Sequence, residues 1–322
     1  MAAVSEIVAP RVMDLRQLRS YDMHALLAEE TAAWRRALDW DFAGSAELVR
    51  RFLDMHALTG YALIAANSVV GYTYYVCEDR KGLIGDLYVL ESYRTIANED
   101  LLLSTVVDAL AAAPWVRRIE SQLMMLGSPF NRILPLANKA RLYPRSFMEI
   151  DMTQAASLPA AKRTARVAYD AWNERRQDEA AQVIAAAYRG HVDSDINDQY
   201  RSASGARRFL LNIVQYPGCG VFLQPCSFVA LDQDTGRLCG LCLASVVSAD
   251  VGHITQICVA PEFRGLSVGY ELLRRSLQAL ASRGCRKTSL TVTTANDSAI
   301  RLYESIGFRA RTAFAAYVWE GF

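Results

Sequence analysis

The two halves of this chain repeat one order of predicted strands and helices at a constant offset. Val89 lies 170 residues before Val259, near the end of a strand-like run in each half, and Arg94 lies 170 residues before Arg264 in the following loop. The same offset aligns the helix and the strand that come next. Chance agreement among common apolar residues is the competing interpretation. Four elements in one register instead favour an internal duplication.

The composition is that of a globular protein with a large core. Of the 322 residues, 52% are hydrophobic and 21% are charged, which argues against disorder. The formal net charge is +1, so we predict no nucleic-acid partner. No apolar run reaches the length of a membrane span, so we predict no membrane partner.

The cysteines and histidines favour neither disulfides nor a metal. Seven cysteines without framework spacing predict free thiols, and the N-terminus lacks a signal-peptide pattern, so we expect a cytoplasmic protein. Cys239 and Cys242 have the spacing of redox and zinc motifs. They lie in a strand-like run without a second pair, which favours plain core cysteines. The four histidines are scattered, and we predict no metal site.

Length and pattern predict two domains, over 1–153 and 165–322, joined by a linker over 154–164 that is rich in Ala, Ser and Pro. In the first half the pattern predicts helices over 34–55 and 100–112 and strands over 61–66, 71–77, 83–90 and 118–124. In the second half it predicts helices over 178–188, 203–214, 269–282 and 298–306 and strands over 165–172, 227–232, 238–247, 253–259, 287–293 and 311–319.

The sharpest chemical signal is the segment 253–273. A strand ends at Pro261, a loop with Arg264, Gly265 and Ser267 follows, and an amphipathic helix begins near Gly269. Free N–H groups and the dipole at a helix start attract anions, and glycine lets the backbone approach phosphate oxygens. The loop therefore predicts an anion site, to which Arg264 adds a positive charge.

Two other interpretations of this loop were weighed. Nucleotide-binding loops end in Gly-Lys-Ser/Thr or carry three glycines at other spacings, and neither pattern is present. A tight strand–helix turn that uses glycine for packing alone stays open on the loop by itself.

The loop resembles motif A of the GCN5-related N-acetyltransferase (GNAT) superfamily, which reads Arg/Gln-x-x-Gly-x-Gly/Ala. Arg264 and Gly269 match its ends, and Ser267 stands at its middle glycine. Residues 290–296 resemble the next strand of the family, which ends in an asparagine near the pantetheine arm, here Asn296. Residues 299–308 resemble the following helix, whose tyrosine, here Tyr303, commonly protonates the departing CoA thiolate. The resemblance covers residues 165–322.

This resemblance implies an α/β (α+β) fold of two tandem GNAT-like domains, each a mixed, mostly antiparallel twisted sheet flanked by helices. It also implies acetyl-CoA (CoA) as the cofactor, and a backbone N–H of residues 257–259 as the group that polarises the thioester carbonyl. The implied cofactor-binding residues are Ile257, Cys258, Val259, Arg264, Gly265, Leu266, Ser267, Val268, Gly269, Tyr270, Asn296 and Tyr303.

Two residues are the candidates for proton transfer. Tyr303 would be the general acid, because a phenol can donate a proton without being charged itself. The alternative is a core tyrosine. His253 would be the general base, directly or through water, because imidazole titrates near working pH and strand alternation places it on the face of Ile257 and Val259. The alternative is a structural histidine at a strand end.

Substrate contacts are expected from residues 190–204. This segment holds three aspartates that could attract a cationic amine, together with His191 and Tyr200. A solvated polar loop is the alternative. Gln256, which cannot act as a base, could also bind substrate.

The first half lacks the anion loop. Its matching segment runs from Arg94 to Glu99 without glycine, and Asp100 adds a second negative charge where phosphate would bind. We expect a degenerate domain that does not bind CoA productively, an arrangement that tandem members of the superfamily show.

The resulting prediction is an N-acyltransferase that moves an acetyl (acyl) group from acetyl-CoA to a primary amine of a small molecule or peptide. A non-catalytic acyl-CoA-binding regulatory protein is the alternative, and Ser267 in place of glycine is its support. A pure protein-interaction scaffold is a third hypothesis. The sequence predicts no oligomeric state.

Overall fold

Strands and helices follow one another along the chain largely as the sequence predicts. The computed structural model describes residues 10–161, 166–216 and 218–322. The elements of the first half are β1 (Arg11–Asp14), α1 (His24–Leu38), α2 (Ala43–Asp54), β2 (Gly60–Ala65), β3 (Ser68–Glu78), β4 (Lys81–Val89), α3 (Ile96–Ala112), β5 (Arg118–Leu123) and β6 (Ala140–Asp151).

The second half opens with a short helix and then repeats the plan. Its elements are α4 (Met152–Ala156), β7 (Val167–Ala171), α5 (Gln177–Ala187), α6 (Asp193–Ile196), α7 (Ala203–Gln215), β8 (Val221–Phe222), β9 (Phe228–Asp232), β10 (Leu238–Ser248), β11 (Val251–Val259), α8 (Val268–Ser282), β12 (Lys287–Thr293), α9 (Asp297–Ile306) and β13 (Arg309–Glu320).

The structure departs from the sequence pattern at a few elements. The helical pattern predicted over 34–55 is two helices, because Asp39 takes a left-handed conformation with φ 54° and ends α1. β1 and β6 were not predicted. β6 contains Pro144, and a proline within a strand pattern lowers the weight of that pattern.

The chain forms two contact units. The first runs to Tyr143 and includes Phe314–Phe322, and the second is Pro144–Ala313. In the first unit the strands lie in the order β1-β2-β3-β4-β5-β13. The pair β4–β5 is parallel, and its neighbours pair antiparallel.

The second unit has the same sheet plan. Its strands lie in the order β7-β9-β10-β11-β12-β6, with β8 beside β10. The pair β11–β12 is parallel, and the other neighbours are antiparallel. Each unit therefore has a mixed, mostly antiparallel sheet, which confirms the predicted fold class.

The contact units do not coincide with the domain boundaries expected at 153 and 165. β6 lies before the expected linker but pairs with β12, and most of β13 pairs with β5. Each unit thus takes its sixth strand from the other half of the chain, a pairing that linear order cannot reveal. Residues 162–164 of the expected linker lie outside the described residues.

The repeat offset is visible in the structure. β3 and β4 begin at Ser68 and Lys81, and their counterparts β10 and β11 begin 170 residues later. The parallel register of each unit also ends at matching residues, Ile84 and Ile254. The duplication therefore extends to strand register.

Helices cover both faces of the second unit's sheet. Leu272 and Leu277 of α8 pack with Cys242 of β10, whereas Ile184 of α5 packs with Leu241. Adjacent strand residues point to opposite faces, so α8 and α5 lie on opposite sides. Burial of each such leucine contributes about 1.5–3 kcal/mol.

Along the described ranges of the chain, no helix combines the length and the apolar character needed to cross a bilayer.

Candidate active site

The site is built where two parallel strands of the second unit separate. The register of β11 with β12 runs from Val251 opposite Lys287 to Ile254 opposite Leu290. β11 continues to Val259 and β12 to Thr293. Beyond Ile254 the edge of β11 that faces β12 is therefore open.

Backbone groups of Ile257 and Val259 point to this open edge. The N–H of Ala260 donates to the carbonyl of Cys239 on β10 at 2.8 Å, so alternate residues direct their backbone away from β10. The Ile257 carbonyl lies 3.5 Å from the Tyr188 hydroxyl, and the Val259 carbonyl accepts from Arg264 Nε at 3.4 Å. Both contacts occupy carbonyls, so the N–H groups beside them are presented to the open edge.

The start of α8 lies beside this edge. Its N-cap residue, Ser267, has φ 61° and makes no side-chain cap, so the first-turn N–H groups of the helix are not used by a capping side chain. Gly265, with φ 76°, has no atom within 4 Å of an added Cβ. The loop therefore presents helix N–H groups next to open space, as anion binding requires.

Arg264 braces this loop. Its guanidinium donates through Nη2 to the carbonyl of Ala187 at 2.6 Å and through Nε to Val259. Arg94 of the first unit donates in the same way to the Val89 carbonyl, at 3.3 Å. The arginine shared by the two halves thus has a structural role that needs no phosphate.

α9 brings Asn296 and Tyr303 to the same place. The Asn296 side chain accepts from the N–H of Ala299 at 3.2 Å and caps the helix. Tyr303 is 7% exposed, and burial raises the pKa of its phenol, which keeps the hydroxyl protonated at neutral pH.

These elements enclose one cavity of about 580 Å³ in the second unit. It collects the residues implied at sequence level except Leu266, whose side chain is 42% exposed and is not part of the lining. The lining residues are Ala187, Tyr188, His191, Ile257, Cys258, Val259, Phe263, Arg264, Gly265, Ser267, Val268, Gly269, Tyr270, Asn296, Ser298, Ala299, Leu302 and Tyr303.

His253 is not in this lining, and the expectation that it shares a face with Ile257 is wrong. Gln256 pairs with Leu243 and Ile254 pairs with Ala244, so Thr255 is a bulge that reverses the alternation. His253 is 4% exposed, and its Nδ1 lies 2.9 Å from Ser289 Oγ. Burial lowers the pKa of His253 to about 3. These features are those of a structural histidine.

The sequence gave weaker signals for the groups that surround the cavity beside α5. Gln256 Nε2 donates to the Tyr188 hydroxyl at 3.0 Å, and Tyr200 donates to Gln256 Oε1 at 3.3 Å. The residue after a helix and one glutamine in a strand carry no motif, so Tyr188 was missed and Gln256 was only a possibility.

Two ionisable residues of the segment 190–204 lie at this side of the site. His191 lines the cavity, and its Nδ1 is 3.6 Å from Asp193 Oδ2. Asp193 also accepts a hydrogen bond from Thr293 Oγ1. Burial, and after it the negative charge of Asp193, raises the pKa of Tyr200, which places this carboxylate near the cavity tyrosines.

The matching place in the first unit is arranged differently. Thr95 caps α3 by accepting from the N–H of Asn98 at 3.2 Å. The Glu99 carboxylate accepts from the N–H of Gly127 at 2.9 Å and from Arg132 at 2.7 Å. The helix start that would receive a phosphate therefore carries its own cap and a buried carboxylate.

Comparison with known proteins agrees with this geometry. The Acetyltransferase (GNAT) family model matches residues 194–308. N-alpha-acetyltransferase 30 of Schizosaccharomyces pombe is 31% identical over 84 residues, which cover 26% of this chain and 56% of that protein. The chain spans about half the length of this and other curated relatives that it matches.

Solved structures match the fold over nearly the whole chain. A GCN5-related N-acetyltransferase from Sphaerobacter thermophilus has a TM-score of 0.68 at 16% identity and covers 97% of this chain and 95% of its own. A tandem GNAT protein from the clavulanic acid biosynthesis pathway has a TM-score of 0.60 at 13% identity and covers 97% and 98%. With the family match in its second half and a tandem GNAT fold throughout, the chain is a member of the GNAT acetyltransferase superfamily.

Proposed function

We propose that this protein is an acyl-CoA-dependent N-acetyltransferase that transfers an acetyl group from acetyl-CoA to a primary amine of a small molecule or peptide. One observation carries the proposal. A single cavity joins the uncapped start of α8, the open edge of β11 and the Tyr303 hydroxyl. These are the groups that cofactor binding, carbonyl polarisation and thiolate protonation need.

The cofactor would be held at two places. The N–H groups of Val268, Gly269 and Tyr270 would bind the pyrophosphate at the start of α8. The gap between β11 and β12 would take the pantetheine arm. Acetyl-CoA supplies the acetyl group as a thioester, and the N–H of Ile257 or Val259 would stabilise the negative charge that develops on its carbonyl oxygen.

Two protons must move in this reaction. Tyr303 would donate its phenolic proton to the leaving thiolate. The attacking amine must lose a proton, and His191 with the Asp193 carboxylate is our candidate for accepting it. His191 lines the cavity, and a carboxylate beside Nδ1 stabilises an imidazolium. The same carboxylate would attract a cationic amine.

The first unit would not bind CoA productively. Thr95 and Glu99 already satisfy donors at and near the start of α3, and a buried carboxylate repels phosphate. Its role would be to support the catalytic second unit, as a degenerate GNAT-like domain.

The test has two stages. Calorimetry measures CoA and acetyl-CoA binding, and a thiol-release assay with acetyl-CoA then measures turnover on a panel of peptide N-termini, amino sugars and polyamines. The name of the Schizosaccharomyces pombe relative supports including peptide N-termini. Acetyl-CoA binding with amine-dependent thiol release supports the proposal. Binding without turnover on any amine favours the non-catalytic acyl-CoA-binding protein, for which Ser267 in place of glycine is the supporting observation. No CoA binding would exclude both.

A further inference from the structure

Tyr188 stands beside the backbone groups at which the thioester carbonyl would lie. Its hydroxyl is 3.5 Å from the Ile257 carbonyl oxygen. The N–H and C=O of a strand residue point to the same edge. The phenol therefore lies next to the Ile257 N–H, and an acyl chain that extends from a carbonyl held there would meet Tyr188.

The Tyr188 side chain is held in place from several sides. Its hydroxyl accepts from Gln256 Nε2 at 3.0 Å, and its ring stacks on Tyr200 with centroids 4.3 Å apart. The His191 ring meets it edge-on at 5.3 Å. Moving this phenol would break a hydrogen bond and two aromatic contacts, each of which is worth about 0.5–1.5 kcal/mol.

A second cavity lies behind this residue. Its volume is also about 580 Å³, and it is lined by residues of α5 and of the segment 189–203. Among the lining residues within the described parts of the chain, Tyr188 is the one that the two cavities share. Its side chain is therefore the partition between them.

We propose that Tyr188 sets the acyl-chain specificity of this protein by closing the acyl end of the CoA cavity, so that acetyl-CoA is accepted and longer acyl-CoAs are excluded. The inference rests on the proposed function, because it assumes that the thioester binds at β11. Truncation of Tyr188 would join the two cavities and provide room for a medium-length acyl chain.

The physical reason is the rigidity of the wall. In a pocket that cannot expand, one extra methylene changes binding by roughly 10-fold or more. A hexanoyl chain adds four methylenes to acetyl and must displace the phenol or leave its own carbonyl misplaced. An apolar chain that enters the joined cavity instead gains contact with Ala185 and Ala186 of α5.

The test is calorimetric binding of CoA, acetyl-CoA and hexanoyl-CoA to the full-length protein and its variants, which needs no knowledge of the amine. We expect the wild type to bind hexanoyl-CoA at least about 10-fold more weakly than acetyl-CoA. Tyr188→Ala should bring the two within about 3-fold, whereas the matched control Tyr188→Phe, which keeps the ring, should retain the preference.

Several results would overturn the proposal. Equal binding of both acyl-CoAs by the wild type is one, and an unchanged preference in Tyr188→Ala that still binds acetyl-CoA is another. Tyr188→Leu replaces the alanine variant if that variant loses acetyl-CoA binding, and the wild-type ratio decides if both do. Loss of all three ligands by the wild type would instead contradict the proposed function, which separates the two failures.

Discussion

At the residue scale, Ser267 is the position where chain conformation and ligand binding meet. A non-glycine residue with φ 61° is strained, and this one stands where the family motif has glycine. The left-handed conformation costs an L-residue about 1–2 kcal/mol more than glycine. The strain lies in the loop that is proposed to hold the cofactor.

Ser267→Gly should therefore leave CoA affinity unchanged and raise the free energy of unfolding by up to about 1 kcal/mol, measured by calorimetry and urea unfolding. Gly265→Ala is the matched reverse change. Gly265 has φ 76° and open space around its Cα, so alanine should cost about 1 kcal/mol from conformation alone. A tenfold loss of CoA affinity in Ser267→Gly would contradict this prediction and assign the Ser267 hydroxyl to the phosphate.

Tyr303→Phe should lower kcat by at least about 100-fold, because general acid catalysis typically contributes that much, while the Kd for CoA changes by less than about 3-fold. The measurement is steady-state thiol release beside calorimetry. Phenylalanine fills the same volume, so packing against Phe308 is kept. Unchanged turnover would remove Tyr303 as the acid.

Residue roles were predictable where a motif carries them and not elsewhere. Arg264, Gly269, Asn296 and Tyr303 were found because loop, strand and helix each repeat a family pattern. The His253 assignment failed because a bulge at Thr255 leaves no sign in strand alternation. Tyr188 was missed because it carries no motif.

At the element scale, contact between α1 and β4 buries two carboxyl groups in the first unit. Glu30 of α1 is fully buried, and Tyr72 donates to its Oε2 at 2.9 Å. Burial, and after it neighbouring Asp86, raises the pKa of Glu30, and burial raises the pKa of Asp86 to about 6. The fold thus favours the protonated forms of both groups.

This raised pKa predicts that stability falls as the pH rises. A carboxyl with a higher pKa in the folded chain contributes stability below its unfolded pKa and loses that contribution as pH rises through the folded pKa. The wild-type Tm should therefore drop between pH 4 and pH 7. Glu30→Gln keeps a neutral group of the same shape and should raise the Tm at pH 7.5 by about 3 °C or more, with little change at pH 4.5. Equal Tm values for the two proteins at pH 7.5 would contradict this account.

Most elements were predictable because apolar periodicity is strong in them. β12 has the predicted bounds, and Gly284 and Gly307 have the left-handed conformations expected after helices. β6 was not predicted, because Pro144 and its charged neighbours mask the alternation on which strand prediction depends.

At the scale of the whole molecule, a duplicated plan carries one set of site features. Both units share sheet order, parallel register and a bracing arginine, Arg94 or Arg264. They differ at one helix start, which Thr95 caps in α3 and which lacks a side-chain cap in α8. The duplication was predictable from the 170-residue offset, whereas the exchange of β6 and β13 was not, because no local pattern names a strand's partner.

The central claim is that this chain has one CoA site, at the start of α8, and calorimetric titration with acetyl-CoA tests it most directly. An added Cβ at Gly269 would lie 3.6 Å from Val259, so Gly269→Ala should fold and serve as the control. Gly269→Glu adds bulk and negative charge to the phosphate position. The account predicts one acetyl-CoA per wild-type chain and no measurable binding to Gly269→Glu. Two sites per chain, or unchanged affinity in Gly269→Glu, would contradict it.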